Sequence, residues 1–222
     1  MNSAFGSARN FNQDISKWST GNIKALGSTF ARATSFNGDL SKWDTSKVTR
    51  IINTFYGATS FNGDISEWDT SEVTSMSGTF DGATSFNGDI SEWDTSEVTS
   101  MYETFRGATS FNGNIEAWNV QKVDSMFGMF REAVHFTSNI AAWKPVSVTD
   151  ISEFLMNATA FTQDLACWDA YANQSWVMSD SFTGSGVSTS PPCWYSTADQ
   201  SNCAVCPAPP APPVSNPYPS PP

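Results

Sequence analysis

Histidine occurs once in the 222 residues, and cysteine four times, the first at Cys167. A zinc site or a histidine-based catalytic triad needs several such residues brought together, so both are disfavoured. Charged residues make up only 15 % of the chain, against about 25 % in an average globular domain. Bases are scarcest: 11 Lys and Arg face 22 Asp and Glu, a formal charge of −11. Nucleic acid and anionic membrane surfaces are matched by Lys and Arg, so neither is expected as a partner. No apolar run approaches the roughly 20 residues that span a bilayer. What is abundant is aromatic: 16 Phe and 9 Trp.

A repeat accounts for them. Phe11, Phe36, Phe61, Phe86, Phe111, Phe136 and Phe161 recur every 25 residues, as do Trp18, Trp43, Trp68, Trp93, Trp118, Trp143 and Trp168. Ile15 to Leu165, Phe5 to Leu155, Ala8 to Ala158, Met1 to Ile151 and Ile23 to Val148 keep the same step of 25. Seven apolar columns without an insertion describe a solenoid, because a unit this short cannot bury a core alone and must stack on its neighbours. Met76, Phe80, Ala83 and Phe86 are spaced as one face of a short helix. Asn-Gly-Asp at 87–89 breaks it, Asp89 to Trp93 reads as a short extended piece, and Asp-Thr-Ser at 94–96 makes a second corner. The expected fold class is therefore an α/β repeat solenoid with short strands and short helices, 25 residues per turn. Strands in register would step about 4.8 Å.

These residues carry a resemblance. Val98-x-x-Met101-x-x-x-Thr104-Phe105-x-x-Ala108-x-x-Phe111 has the spacing of the BspA-type leucine-rich repeat half-unit. The fuller wording FNGDISEWDTSEVTSM resembles the 25/26-residue repeat of bacterial surface proteins and mycoplasma-type lipoproteins, which also occurs in algal proteins. The segment Phe-x-x-x-Ile-x-x-Trp-Asp departs from that type, being two residues longer than its usual strand. The resemblance implies a right-handed, leucine-rich-repeat-like solenoid on a cell surface, used for adhesion or protein binding. No enzyme and no cofactor are expected, because the acidic residues are generic members of their columns and none stands out from its repeat-mates.

Three regions are expected: repeats over 1–168, a closing coil with linker and cap over 169–206, and a proline-rich stalk over 207–222. Met1 falls partway through a coil and follows no leader, so a truncated N-terminus is expected, with a secretion signal lost from it. After Trp168 the register slips by two, to Met178 and Phe182. Cys167, Cys193, Cys203 and Cys206 suggest two disulfides of open connectivity; zinc and free thiols are the weaker alternatives, since only one CxxC is present. Asn157 and Asn173 begin glycosylation triplets. Nine prolines in the last sixteen residues favour polyproline II and attachment to a wall. The compartment read from these features is extracellular or cell-surface.

No residue stands out as catalytic or metal-binding. Asp14, Asp39, Asp64, Asp89, Asn114, Asn139 and Asp164 form one oxygen-bearing column and Asp44, Asp69, Asp94 and Asn119 another. Calcium would suit hard oxygens; turn capping suits Asp and Asn alike and is favoured. Stacked threonines raise ice binding as a minor alternative, and His135 reads as incidental. Variable columns are the better candidates for a working face. Lys42, Glu67 and Glu92 change sign along the rod, as do Lys47, Glu72 and Glu97, and Arg32, Gly57, Gly82, Gly107 and Glu132 vary likewise. They point to an extracellular protein or glycan partner, or, if the variation is drift, to a passive spacer in a cell wall or covering.

Overall fold

A computed structural model describes residues 1–170 and 176–187. The chain winds in coils that stack in strict register. Single-residue parallel bridges join Ala25, Arg50, Ser75, Ser100, Ser125 and Asp150 in turn, and Asp150 pairs with Val177, a step of 27 in place of 25. The solenoid expected from the columns is therefore present. Its local structure is different from the expectation.

Among the described residues the one helix is a 3-10 turn, Ala166–Ala170. The segment read as helical, 76–86, is a run of successive turns. The amides of Met76, Gly78, Phe80 and Gly82 donate to the carbonyls of Ser100, Tyr102, Thr104 and Arg106 in the next coil. Those of Thr79, Asp81, Ala83 and Phe86 donate three residues back. An α-helix over 76–86 would satisfy all but its first four amides internally. Here alternate amides tie coil to coil. The bridge likewise falls at Ser75 and Ser100, not within the segment 89–93 expected to be extended and strand-like.

Left-handed backbone makes the alternation geometrically feasible. Ser28, Asn53, Gly78, Glu103, Gly128 and Glu153 share one such position, and Arg32, Gly57, Gly82, Gly107, Glu132 and Asn157 the next. The mixture of Gly with other residues in the second column is thus a statement about backbone as well as surface. An L-residue there costs about 1–2 kcal/mol, part of which glycine's larger unfolded-state entropy offsets. Ser28→Gly should accordingly raise stability by about 0.5–1 kcal/mol and Gly82→Ala lower it by about 1 kcal/mol, both read from urea midpoints. A Cβ at Gly82 would meet nothing nearer than 3.6 Å, so the second effect isolates conformation from clash.

Packing follows the columns. Phe30, Phe55, Phe80, Phe105 and Phe130 form a ladder of near-parallel rings 5.4–5.6 Å apart. Phe36, Phe61, Phe86, Phe111, Phe136 and Phe161 form a second ladder at 5.7–6.0 Å. The ladders touch within each coil, as Phe80 does Phe86 at 3.9 Å. Each tryptophan from Trp43 to Trp168 turns its indole N–H onto the carbonyl of the isoleucine or leucine 28 residues earlier; Trp93 reaches Ile65 at 3.1 Å. Thr54 and Thr79 are buried with hydroxyls within hydrogen-bonding distance of carbonyls in their own and the preceding coil, and buried Thr104 reaches the Met76 carbonyl of the preceding coil. An asparagine ladder adds one bond per coil: Asn62 N–H to Asn37 Oδ1, then Asn87 to Asn62 and Asn112 to Asn87, at 2.7–2.8 Å. No helix among the described residues is long and apolar enough to cross a membrane.

Candidate interaction faces

The six charged residues singled out by sign change are all exposed. They lie on the edge formed by the two polar corners, at positions five residues apart within each coil. Glu67 and Glu92 come together with Trp68, Asp69, Asp89 and Ser91 around a shallow groove of about 390 Å³. Lys47 instead reaches back, its Nζ donating to the Gly21 carbonyl at 2.9 Å. Glu97 pairs with Lys122 of the next coil at 2.6 Å, both half-exposed. The structure thus joins Glu67 to Glu92 and leaves Lys42 and Glu72 outside that groove.

Both aspartate columns serve as turn caps. The N–H and hydroxyl of Ser66 donate to Asp64 at 3.0 and 2.8 Å, and Ser71 treats Asp69 the same way. Where asparagine stands in the column the bond persists, from Glu116 N–H to Asn114 and from Gln121 N–H to Asn119. Hydrogen bonds from the following serine hold the carboxyls of Asp14, Asp44, Asp64 and Asp89 below the usual range. The exposed threonine columns are engaged too: Thr84 Oγ1 donates to Thr59 O and Thr99 Oγ1 to Thr74 O, both at 3.2 Å. His135 sits on the surface with Nδ1 2.7 Å from the Thr109 carbonyl.

Cys167 is half-buried within the 3-10 turn; Cys193, Cys203 and Cys206 lie outside the described residues. Asn157 is half-buried in a left-handed conformation, its amide donating to Thr183 at 2.8 Å. Asn173 and the segment 207–222 also lie outside the described residues.

A second face was not among the candidates. It is formed by the second, third and sixth positions of the turn run. Coils 51–75 and 76–100 are identical except at Ile51/Met76, Ile52/Ser77, Asn53/Gly78 and Tyr56/Asp81. The first pair is core; the other three sit on this face. Comparing adjacent copies letter by letter would have found it, whereas scanning for charge reversal did not.

The face is chemically singular. Tyr102 and Phe127 stack at 5.0 Å, with Tyr102 42 % exposed. Arg106 lies between Glu103 at 3.1 Å and Asp81 at 3.8 Å, and Arg131 between Glu153 at 2.5 Å and Glu132 at 3.3 Å. Asp81 is nearly buried, and that burial pushes its carboxyl up to about 6 despite the nearby Arg106 guanidinium. Two coils earlier the Arg32 guanidinium sits 5.2 Å from the centre of the Tyr56 ring.

No protein of curated function matches the chain. Among solved structures, the chain is similar to a leucine-rich repeat protein from Eubacterium ventriosum ATCC 27560, with 15 % identity and a TM-score of 0.48. That alignment covers 77 % of this chain, which spans 43 % of the other protein's length. The family described as "Mycoplasma protein of unknown function, DUF285" matches twice, over residues 1–93 and 74–190, and so takes in every regular coil. That agrees with the resemblance to mycoplasma-type repeats carried by the wording FNGDISEWDTSEVTSM. The chain belongs to this DUF285 repeat family.

Proposed function

We propose that the chain is a non-enzymatic recognition solenoid, cell-surface or secreted, that binds a protein or glycan through its outward columns. The observation that carries this reading is the contrast between frame and surface. From Phe30 to Trp168 the Phe, Trp, Ala and Ile/Leu columns stay apolar and are buried, while exposed positions change from Lys42 to Glu67 and Glu92. Stacked repeats of this kind build extended surfaces on which partners are read by outward side chains. On this reading residues 169–206 close the rod with cysteine bridges among Cys167, Cys193, Cys203 and Cys206. The tail 207–222 is a stalk that attaches it to a wall, and Asn157 and Asn173 are glycosylated.

Charge reversal provides the test. A chain carrying Lys42→Glu, Glu67→Lys and Glu92→Lys is screened beside the natural one on an array of extracellular proteins and glycans. A ligand of the natural chain should lose about tenfold or more in affinity, the scale of one or two charge contacts. Unfolding temperature should hold, because exposed charges contribute little to stability. If the array returns no ligand, the rod is better read as a passive spacer held by its proline-rich tail.

A further inference from the structure

We infer that the turn-run face centred on Tyr102 and Phe127 is a docking surface for a basic segment of a protein partner, whose Arg or Lys side chain seats on the aromatic pair. This deepens the recognition reading and rests on it, but moves the contact to a face about which the charge columns are silent.

Divergence is the first support. Between two coils that otherwise match letter for letter, the outward differences fall only at Ile52/Ser77, Asn53/Gly78 and Tyr56/Asp81. The corner edge with Glu67 and Glu92 is unchanged between the same two coils. A surface under no demand would spread its changes over all exposed positions.

Exposure is the second. Tyr102 follows Ser77 in its column, whose side chain is a single hydroxymethyl, and is 42 % exposed. Glu103 follows Gly78, which is buried with the Asn53 side chain lying over it.

Charge is the third. Asp81, Glu103, Glu132, Asp150 and Glu153 stand on or beside this face against Arg106 and Arg131 alone. Both arginines are already shared between carboxylates, so the net field over the rings is negative. The Tyr102 hydroxyl has its pKa raised first by burial, with Glu103, Glu153 and Asp150 adding to it and Arg106 opposing. A cation over an aromatic face with carboxylates at its rim is attracted by both. The chain makes this kind of contact itself, with Arg32 on Tyr56.

The test uses the full chain and synthetic peptides of equal length: one bearing several Arg and Lys, one with those replaced by Gln, one with Glu, and beside them a neutral oligosaccharide. Titration is followed by backbone amide chemical shifts of the residues around Tyr102 and Phe127. The basic peptide alone should saturate. Tyr102→Ser should weaken it about tenfold, and Tyr102→Phe should retain it. Absence of saturation by the basic peptide, binding indifferent to Tyr102→Ser, or preference for the oligosaccharide would each overturn the assignment. An array ligand that answers to Glu67 and Glu92 but not to Tyr102 would sink this face and leave the recognition reading standing.

Discussion

Phe80→Ala is expected to lower the stability of the chain by about 3–5 kcal/mol, the range for removing a fully buried phenylalanine. Phe80 has no exposed surface and contacts Phe55, Phe105, Phe86 and Trp93 at centroid distances of 3.9–6.1 Å. The cavity cannot be filled by one neighbour, because the rings on either side are themselves locked in ladders. Since each coil touches only its neighbours, the loss should be read locally. Hydrogen exchange should accelerate most in coils 51–125, and the urea midpoint should fall without recovery at lower temperature. Phe5→Ala makes the contrast, as Phe5 is only partly buried in the first coil. It should cost clearly less. Equal costs at the two positions would mean that the ladder is not the unit of stability.

Stability should also fall as pH rises from about 4 to 6, because of Asp81. Its carboxyl titrates at about 6 in the folded chain, above the ordinary 3.8, since burial disfavours the charged form. The folded state therefore holds the proton more tightly than the unfolded one. Its contribution is full below the unfolded value and is lost as pH passes through the folded one. Two units correspond to a ceiling of about 3 kcal/mol. Asp81→Asn should flatten this limb and leave the chain more stable than the natural one above pH 6. Urea unfolding at pH 4.5 and 7.5 on both chains measures it. Asp14, Asp44, Asp64 and Asp89 act in the opposite sense, being held low by serine bonds, so their support is lost only as pH falls below the ordinary carboxylate range. An unchanged midpoint between the two pH values would place Asp81 in better solvation than its burial implies.

Much of the scaffold is legible in the letters. Trp43 to Trp168 and Phe30 to Phe161 recur at a fixed step and are buried at that step. The capping role of Asp64 and Asp94 could be read from their replacement by Asn114 and Asn119, which offer the same acceptor oxygen. The backbone between them was less accessible. Met76, Phe80, Ala83 and Phe86 have helical spacing, but that spacing only says that the four side chains share a face. Gly78 and Gly82 carried the contrary information, being placed where a left-handed residue redirects alternate amides to the next coil. Candidate faces divided the same way. Glu67 and Glu92 announce themselves by charge, whereas Tyr102 and Phe127 become a surface only when their positions in the turn run are known to point outward.

Periodicity by itself determined that this chain stacks coils and which side chains are inside, because burial in a repeat is dictated by a column of like residues and needs no knowledge of backbone path. Tertiary structure decided the rest. Whether an amide bonds within its own coil or to the next is settled only when a second coil lies beside the first, and that choice is made between residues 24 apart. It replaced the helix with a ladder of turns and, in doing so, set Tyr102, Phe127 and their carboxylates side by side on one face.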